Sequence, residues 1–155
     1  MEHNAVWRSL RALERRGEIE ISTIAHAADG IMMFDEVSQL IRDNTRLLVS
    51  THASNVSGTL MPIRRLGRLA AEDEIFFMVD AAQTAGSYPI DVDELKVDIL
   101  VFTGHKGLMG PQGTGGFYLP AGDKLPAGAV RWYRQRVPSG SPARSTARSV
   151  RSRSS

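Results

Sequence analysis

Three short apolar runs constrain this chain more than anything else in it. They are Leu47–Ser50, Ile75–Val79 and Val97–Thr103, and a polar cluster stands at the end of each. Thr51-His52-Ala53-Ser54-Asn55 follows the first, Asp80-Ala81-Ala82-Gln83 follows the second, and Thr103-Gly104-His105-Lys106 closes the third. An unbroken apolar run of this length, bounded by turn residues, reads as a strand buried on both faces of a parallel sheet.

The segments between them carry helical periodicity. Residues 4–16 place Val6, Leu10 and Leu13 on one face with arginines opposite, and Gly17 ends the pattern. Phe34–Ile41 reads as a second helix with Val37, Leu40 and Ile41 inward. Pro62 suits the first turn of a third helix that runs to about Glu72. Glu18–Ile24 alternates apolar and polar, as a half-buried strand does, and Gly116–Leu119 reads as a short returning strand. Strands alternating with helices at short spacing predict an α/β fold, with a mostly parallel sheet and flanking helices. Ligands of such sheets bind beyond the carboxyl ends of the strands. All three polar clusters fall there.

Within the third cluster, Lys106 lies in a glycine-rich turn that runs from Gly104 to Gly116. Asp80 closes the preceding strand. A lysine and an aspartate, each at the C-terminal end of a strand, is the arrangement that pyridoxal phosphate requires. The lysine forms the Schiff base, and the aspartate meets the pyridine nitrogen and keeps it protonated.

Composition removes several other classes. The chain has 155 residues, 42% of them hydrophobic, enough for one domain with a real core. No run approaches the roughly 18 apolar residues of a membrane span, so no membrane partner is expected. Met1-Glu2-His3-Asn4 lacks the basic-then-apolar opening of a signal peptide, and the cytoplasm is the expected location. There is no cysteine, which excludes a disulfide, a thiolate metal site and a thiol nucleophile within the chain. No metal centre is expected. Net charge is +2, but residues 124–155 hold eight Lys/Arg and no acid, which leaves 1–123 at −6. A nucleic-acid partner would rest on that tail alone and is not expected.

Four segments resemble the class V aminotransferase family, and within it the cysteine desulfurases. They are Glu2-His3-Asn4-Ala5; Thr51 to Thr59; Val79-Asp80-Ala81-Ala82-Gln83-Thr84-Ala85-Gly86; and Phe102 to Gly115. The resemblance covers residues 1 to about 120. It implies the fold type I architecture of pyridoxal phosphate enzymes, a homodimer, and removal of sulfur from L-cysteine to give alanine and an enzyme persulfide, with a sulfur-acceptor protein as a further partner. It also implies roles. Lys106 would be the Schiff-base lysine and proton shuttle, and Asp80 the partner of the pyridine nitrogen. Gln83 would donate to the cofactor's phenolic oxygen, with Asn55 near that oxygen and the substrate carboxylate. Thr103 and His105 would bind the phosphate, and His3 would stack on the ring and assist proton transfer. His26 and His52 match no role in the family and read as structural.

The resemblance also brings departures. Family members are far longer, so the match is expected to begin partway through the large domain. The upstream phosphate loop, the small domain with its substrate-binding arginine, and the persulfide-carrying cysteine have no counterpart here. The expectation is therefore a partial cofactor-binding domain over 1–122, with the activity belonging to the parent family. Another class V activity (an aminotransferase or a selenocysteine lyase) and a non-catalytic chain that binds a partner are the alternatives. Residues 123–155 are rich in arginine, serine and proline and read as a disordered basic tail, or as the product of a shifted frame. Arg131-Trp132-Tyr133-Arg134-Gln135-Arg136 admits codons that, read one base later, give Gly-Gly-Thr-Gly-Ser, a segment the family carries near the phosphate of the neighbouring subunit.

Overall fold

The computed structural model describes residues 2–26 and 32–120. All of them belong to the first of the two units into which the chain divides, Met1–Ala121. The basic segment from 123 onward lies outside the described residues.

Helix α1 (Asn4–Arg15) begins where His3 accepts the Ala5 N–H at its Nδ1, 3.2 Å away. It ends at Gly17, whose φ of 71° lets Glu18 N–H reach back to Leu13 O at 3.1 Å. Glycine takes that left-handed conformation without a Cβ penalty. A short 3-10 turn, Phe34–Glu36, leads into α2 (Val37–Leu40). Helix α3 (Ile63–Glu72) turns Ile63, Leu66 and Ala70 inward and Arg64, Arg65 and Arg68 outward. Its end has the same hydrogen-bond pattern as that of α1, with Ile75 N–H donating to Ala70 O at 2.8 Å. Here the left-handed residue is Glu74, with φ 54°.

Four strands form one sheet in chain order: β1 (Leu47–Thr51), β2 (Phe76–Asp80), β3 (Ile99–Thr103) and β4 (Gly115–Tyr118). The first three are parallel, and β4 returns antiparallel to β3. This is the α/β, mostly parallel sheet expected from the runs. Phe77 and Val79 of β2 are buried against α3, at the centre of a core that includes Ile63, Leu66, Ala70, Val97 and Leu100. The crossover from β1 to β2 passes through α3, which is how a parallel pair is joined.

Three expectations differ from what is seen. Glu18–Ile24 is not a strand. Its alternation survives as burial, with Ile19, Ile21 and Ile24 half-buried, but alternation does not supply a hydrogen-bonding neighbour. No described strand pairs with the outer edge of β1. A cavity of about 1140 Å³ separates this segment and the half-buried Leu10 and Leu13 of α1 from Leu48 and Ser50 of β1. Phe34–Ile41 is not one helix, because α2 stops at Leu40 and Ile41 is extended with ψ 132°. Strand β2 is fully buried on one face only, with Phe76 and Met78 half-buried on the other. Among the described residues no helix with the membrane-spanning length and apolarity occurs.

Two helix ends of the same design, one with glycine and one with glutamate, make a direct comparison. Glu74→Gly removes the left-handed penalty at the end of α3 and should raise stability by about 1 kcal/mol. Chemical denaturation of both chains measures it. A loss of stability would mean that the Glu74 side chain makes contacts worth more than the strain.

Candidate active site

The register decides what meets at the carboxyl edge of the sheet. Thr51 of β1 lies level with Asp80 of β2, which lies level with Val101 of β3, so Thr103 stands two residues further on. The ladder continues past the strands, with His52 N–H donating to Asp80 O and Ala81 N–H to Val101 O, both at 2.8 Å. Three loops therefore leave the sheet side by side.

Asp80 is half-buried, and its Oδ1 accepts the Ala82 N–H at 2.9 Å. That bond opens a single helical turn, in which Thr84 and Ala85 N–H both donate to Ala81 O. Gln83 is half-buried on this turn. Thr103 Oγ1 donates to Ala82 O at 3.4 Å and ties the end of β3 to the same turn. Beyond it the chain closes a loop, with Gly104 N–H bonded to Thr114 O and Gly110 N–H to Gly104 O. His105 and Lys106 are exposed on this loop.

Glycine is required where the two loops cross. A Cβ on Gly86 would lie 2.6 Å from the Gly107 carbonyl carbon, and one on Gly107 would lie 2.6 Å from Ala85 O. Backbone touches backbone there, so the loop carrying Lys106 is pressed against the turn that follows Asp80 and Gln83.

Asn55 is exposed on the turn after β1, whose N–H groups at Val56 and Ser57 both donate to Ser54 Oγ at 3.2 Å. Asn55 and Gln83 share one concave pocket of about 440 Å³ with Thr84, Ser87 and Tyr88. Asp80, Thr103, His105 and Lys106 lie outside its lining. The sequence-derived residues thus form two adjoining groups, Asn55 with Gln83 and Asp80 with Thr103, joined through residues 80–84. His3 is exposed, and its ring caps α1.

Two residues gain importance that the sequence did not give them. Glu2 Oε1 accepts the Thr51 N–H at 2.8 Å, which holds the start of α1 to the end of β1. Its other oxygen is buried with no partner. Burial, the largest effect, pushes the Glu2 carboxyl above its ordinary 4.5, and the negative charge of Asp80 pushes the same way against the Thr51 hydrogen bond. His52 is 5% exposed, and its Nδ1 lies 2.9 Å from Thr84 Oγ1. Burial lowers its pKa below the ordinary 6.5.

The model of the aminotransferase class-V family matches residues 1–126. The chain belongs to this family. Cysteine desulfurase IscS of Dictyoglomus turgidum is 38% identical over 125 residues, 81% of this chain and 31% of the relative. IscS of Cronobacter sakazakii is 39% identical over 118 residues, covering 76% and 29%. Among solved structures, the apo cysteine desulfurase from Thermococcus onnurineus NA1 superposes with a TM-score of 0.73 at 31% identity, over 77% of this chain and 30% of that one. SspA in complex with cysteine gives 0.72 at 36% identity, over 76% and 33%. The chain thus spans about 30% of the length of these relatives, and the family and fold implied by the four segments are borne out.

The Glu2 carboxyl yields a pH-dependent prediction. Its folded pKa is raised, so its favourable contribution is complete below pH 4.5 and is lost as pH rises through the folded value. Glu2→Gln keeps an acceptor for Thr51 N–H and removes the buried charge. The variant should melt higher than wild type at pH 7 and at the same temperature below pH 4. A lower melting temperature at pH 7 would show that the charge itself stabilises the site.

Proposed function

We propose that this chain supplies the cofactor-handling part of a pyridoxal phosphate-dependent enzyme of the cysteine desulfurase type, acting in the cytoplasm on L-cysteine. One observation carries the reading: three consecutive parallel strands end level enough to bring Asn55, the Asp80–Gln83 turn and the Thr103–Lys106 loop to one edge. The donor set fits the group. It offers one carboxylate for a ring nitrogen, one lysine for covalent attachment, a hydroxyl and an imidazole around a glycine for a phosphate, and two amides for a phenolic oxygen.

When bound, the cofactor supplies an electron sink for the pair released at the substrate's Cα. The chain's own residues do the rest. Asp80, fixed by the Ala82 N–H, holds a negative charge at the end of β2. Lys106 takes up and returns a proton. Asn55 and Gln83 orient from the shared pocket. Thr103 and His105 would hold the phosphate, and His3, at the start of α1, would stack on the ring and assist proton transfer.

With no cysteine in the chain, the thiolate that accepts the substrate's sulfur must come from outside these 155 residues. A sulfur-acceptor protein is one source, and the remainder of a longer polypeptide is another. A homodimer fits the same reading, because Val56 and Met109, 91% and 92% exposed, stand on the loops that carry Asn55 and Lys106. Apolar side chains so placed around a site are suited to cover by another surface. The match to the aminotransferase class-V model supports a second reading, an aminotransferase of the same family, whose chemistry needs no persulfide.

The chain has three lysines, Lys96, Lys106 and Lys124, which makes the test simple. Pyridoxal phosphate is added at stoichiometric ratio, reduced with borohydride, and the peptides are mapped by mass spectrometry. The label should fall on Lys106, vanish in Lys106→Ala and drop by more than tenfold in Asp80→Ala. Equal labelling of all three lysines would overturn the reading.

A further inference from the structure

His52 has no part in the roles given above, yet both its backbone and its ring join segments at this edge. Its backbone N–H donates to Asp80 O at 2.8 Å, and its carbonyl accepts Met61 N–H at 2.9 Å. Its Nδ1 contacts Thr84 Oγ1 at 2.9 Å, and its ring meets Tyr88 edge-on at 5.4 Å and 87°. We propose that His52 is a positioning residue whose ring, bonded to Thr84, locks the Asn55 turn against the Gln83 turn and so fixes the pocket that Asn55 and Gln83 share. The meaning of that pocket rests on the cofactor reading, but the locking does not.

The geometry supports the lock in three ways. Thr84 adjoins Gln83, and His52 lies three residues before Asn55, so the bond joins the stems of the two turns. Both partners are sealed from water, at 5% and 4% exposure. A buried hydrogen bond of this kind is costly to leave unmade. The bond forms in either neutral tautomer. The Thr84 hydroxyl lies 2.9 Å from His52 Nδ1 and 3.5 Å from Ala81 O, so it donates to Nδ1, or accepts from Nδ1–H and donates to Ala81 O. Burial favours the uncharged imidazole that both arrangements use.

The alternative is that the two turns stand by themselves. The Asn55 turn does have internal bonds, with Ser54 N–H on Thr59 O and Gly58 N–H on Ser54 O, both at 3.0 Å. If these suffice, His52 only fills space. The two cases part on one measurement. Amide hydrogen exchange is followed by NMR in the full chain without cofactor, for wild type, Thr84→Val, His52→Ala and His52→Asn. Thr84→Val keeps the side-chain shape and removes the hydroxyl, so it tests the bond even where His52→Ala unfolds.

The lock predicts about tenfold faster exchange at Ser54, Gly58 and Met61 in Thr84→Val, with β3 unchanged. Asparagine places an amide, with both a donor and an acceptor, where Nδ1 stood, so His52→Asn should restore most of the protection. Unchanged exchange at Ser54 and Gly58 in Thr84→Val would overturn the proposal. So would equal acceleration through β3, which marks a loss of global stability. The same chains then receive pyridoxal phosphate. Weaker capture on Lys106 in Thr84→Val, by about tenfold, supports both readings. Local loosening in a chain whose wild type captures none upholds the lock and overturns the cofactor reading.

Discussion

The parallel register of β1, β2 and β3 is the constraint on which everything else depends. Side chains alternate along a strand, so a slip of one residue would turn Asp80 into the core and Val79 out of it. Phe77 and Val79, packed on α3, prevent that slip. The same packing that buries the core therefore aims the carboxylate. Backbone bonds past the strand ends, from His52 to Asp80 and from Ala81 to Val101, extend the register into the loops. Chemistry at this edge is consequently a property of the sheet as much as of the loops.

The edge is also where the molecule departs from its stability optimum. Glu2 holds one oxygen in a bond to Thr51 and buries the other without a partner. Met109, on the Lys106 loop, adopts left-handed backbone at φ 53° while 92% exposed. Gly86 and Gly107 give up side chains so that two backbones can touch. Features of this kind cluster where geometry matters more than stability. Their place around the Asp80 and Lys106 loops agrees with a working site there.

Much of this was legible from residue patterns because local and global signals agreed. The runs at β2 and β3 were readable from apolar continuity, and the end of α1 from Gly17. The Lys106 loop was readable from the density of glycine. What stayed hidden depends on neighbours distant in sequence. Glu18–Ile24 has strand periodicity, but pairing is a fact about another segment, and the edge of β1 has no described strand beside it. Glu2 lies just before α1, and its partner Thr51 is 49 residues away. His52 reads as a lone histidine in a polar cluster until Thr84, 32 residues on, supplies its bond. Spacing reveals faces and turns, and it says little about which side chains meet across a sheet.

The proposed ligand site spans three strand ends. A titration of the isotope-labelled chain with pyridoxal phosphate, followed by amide chemical shifts, tests it most directly. Amides in 52–55, 80–84 and 103–107 should shift together along one saturating curve, while those at the opposite ends of β1, β2 and β3 stay still. Shifts confined to the cavity between α1 and β1, or scattered without a common curve, would contradict it.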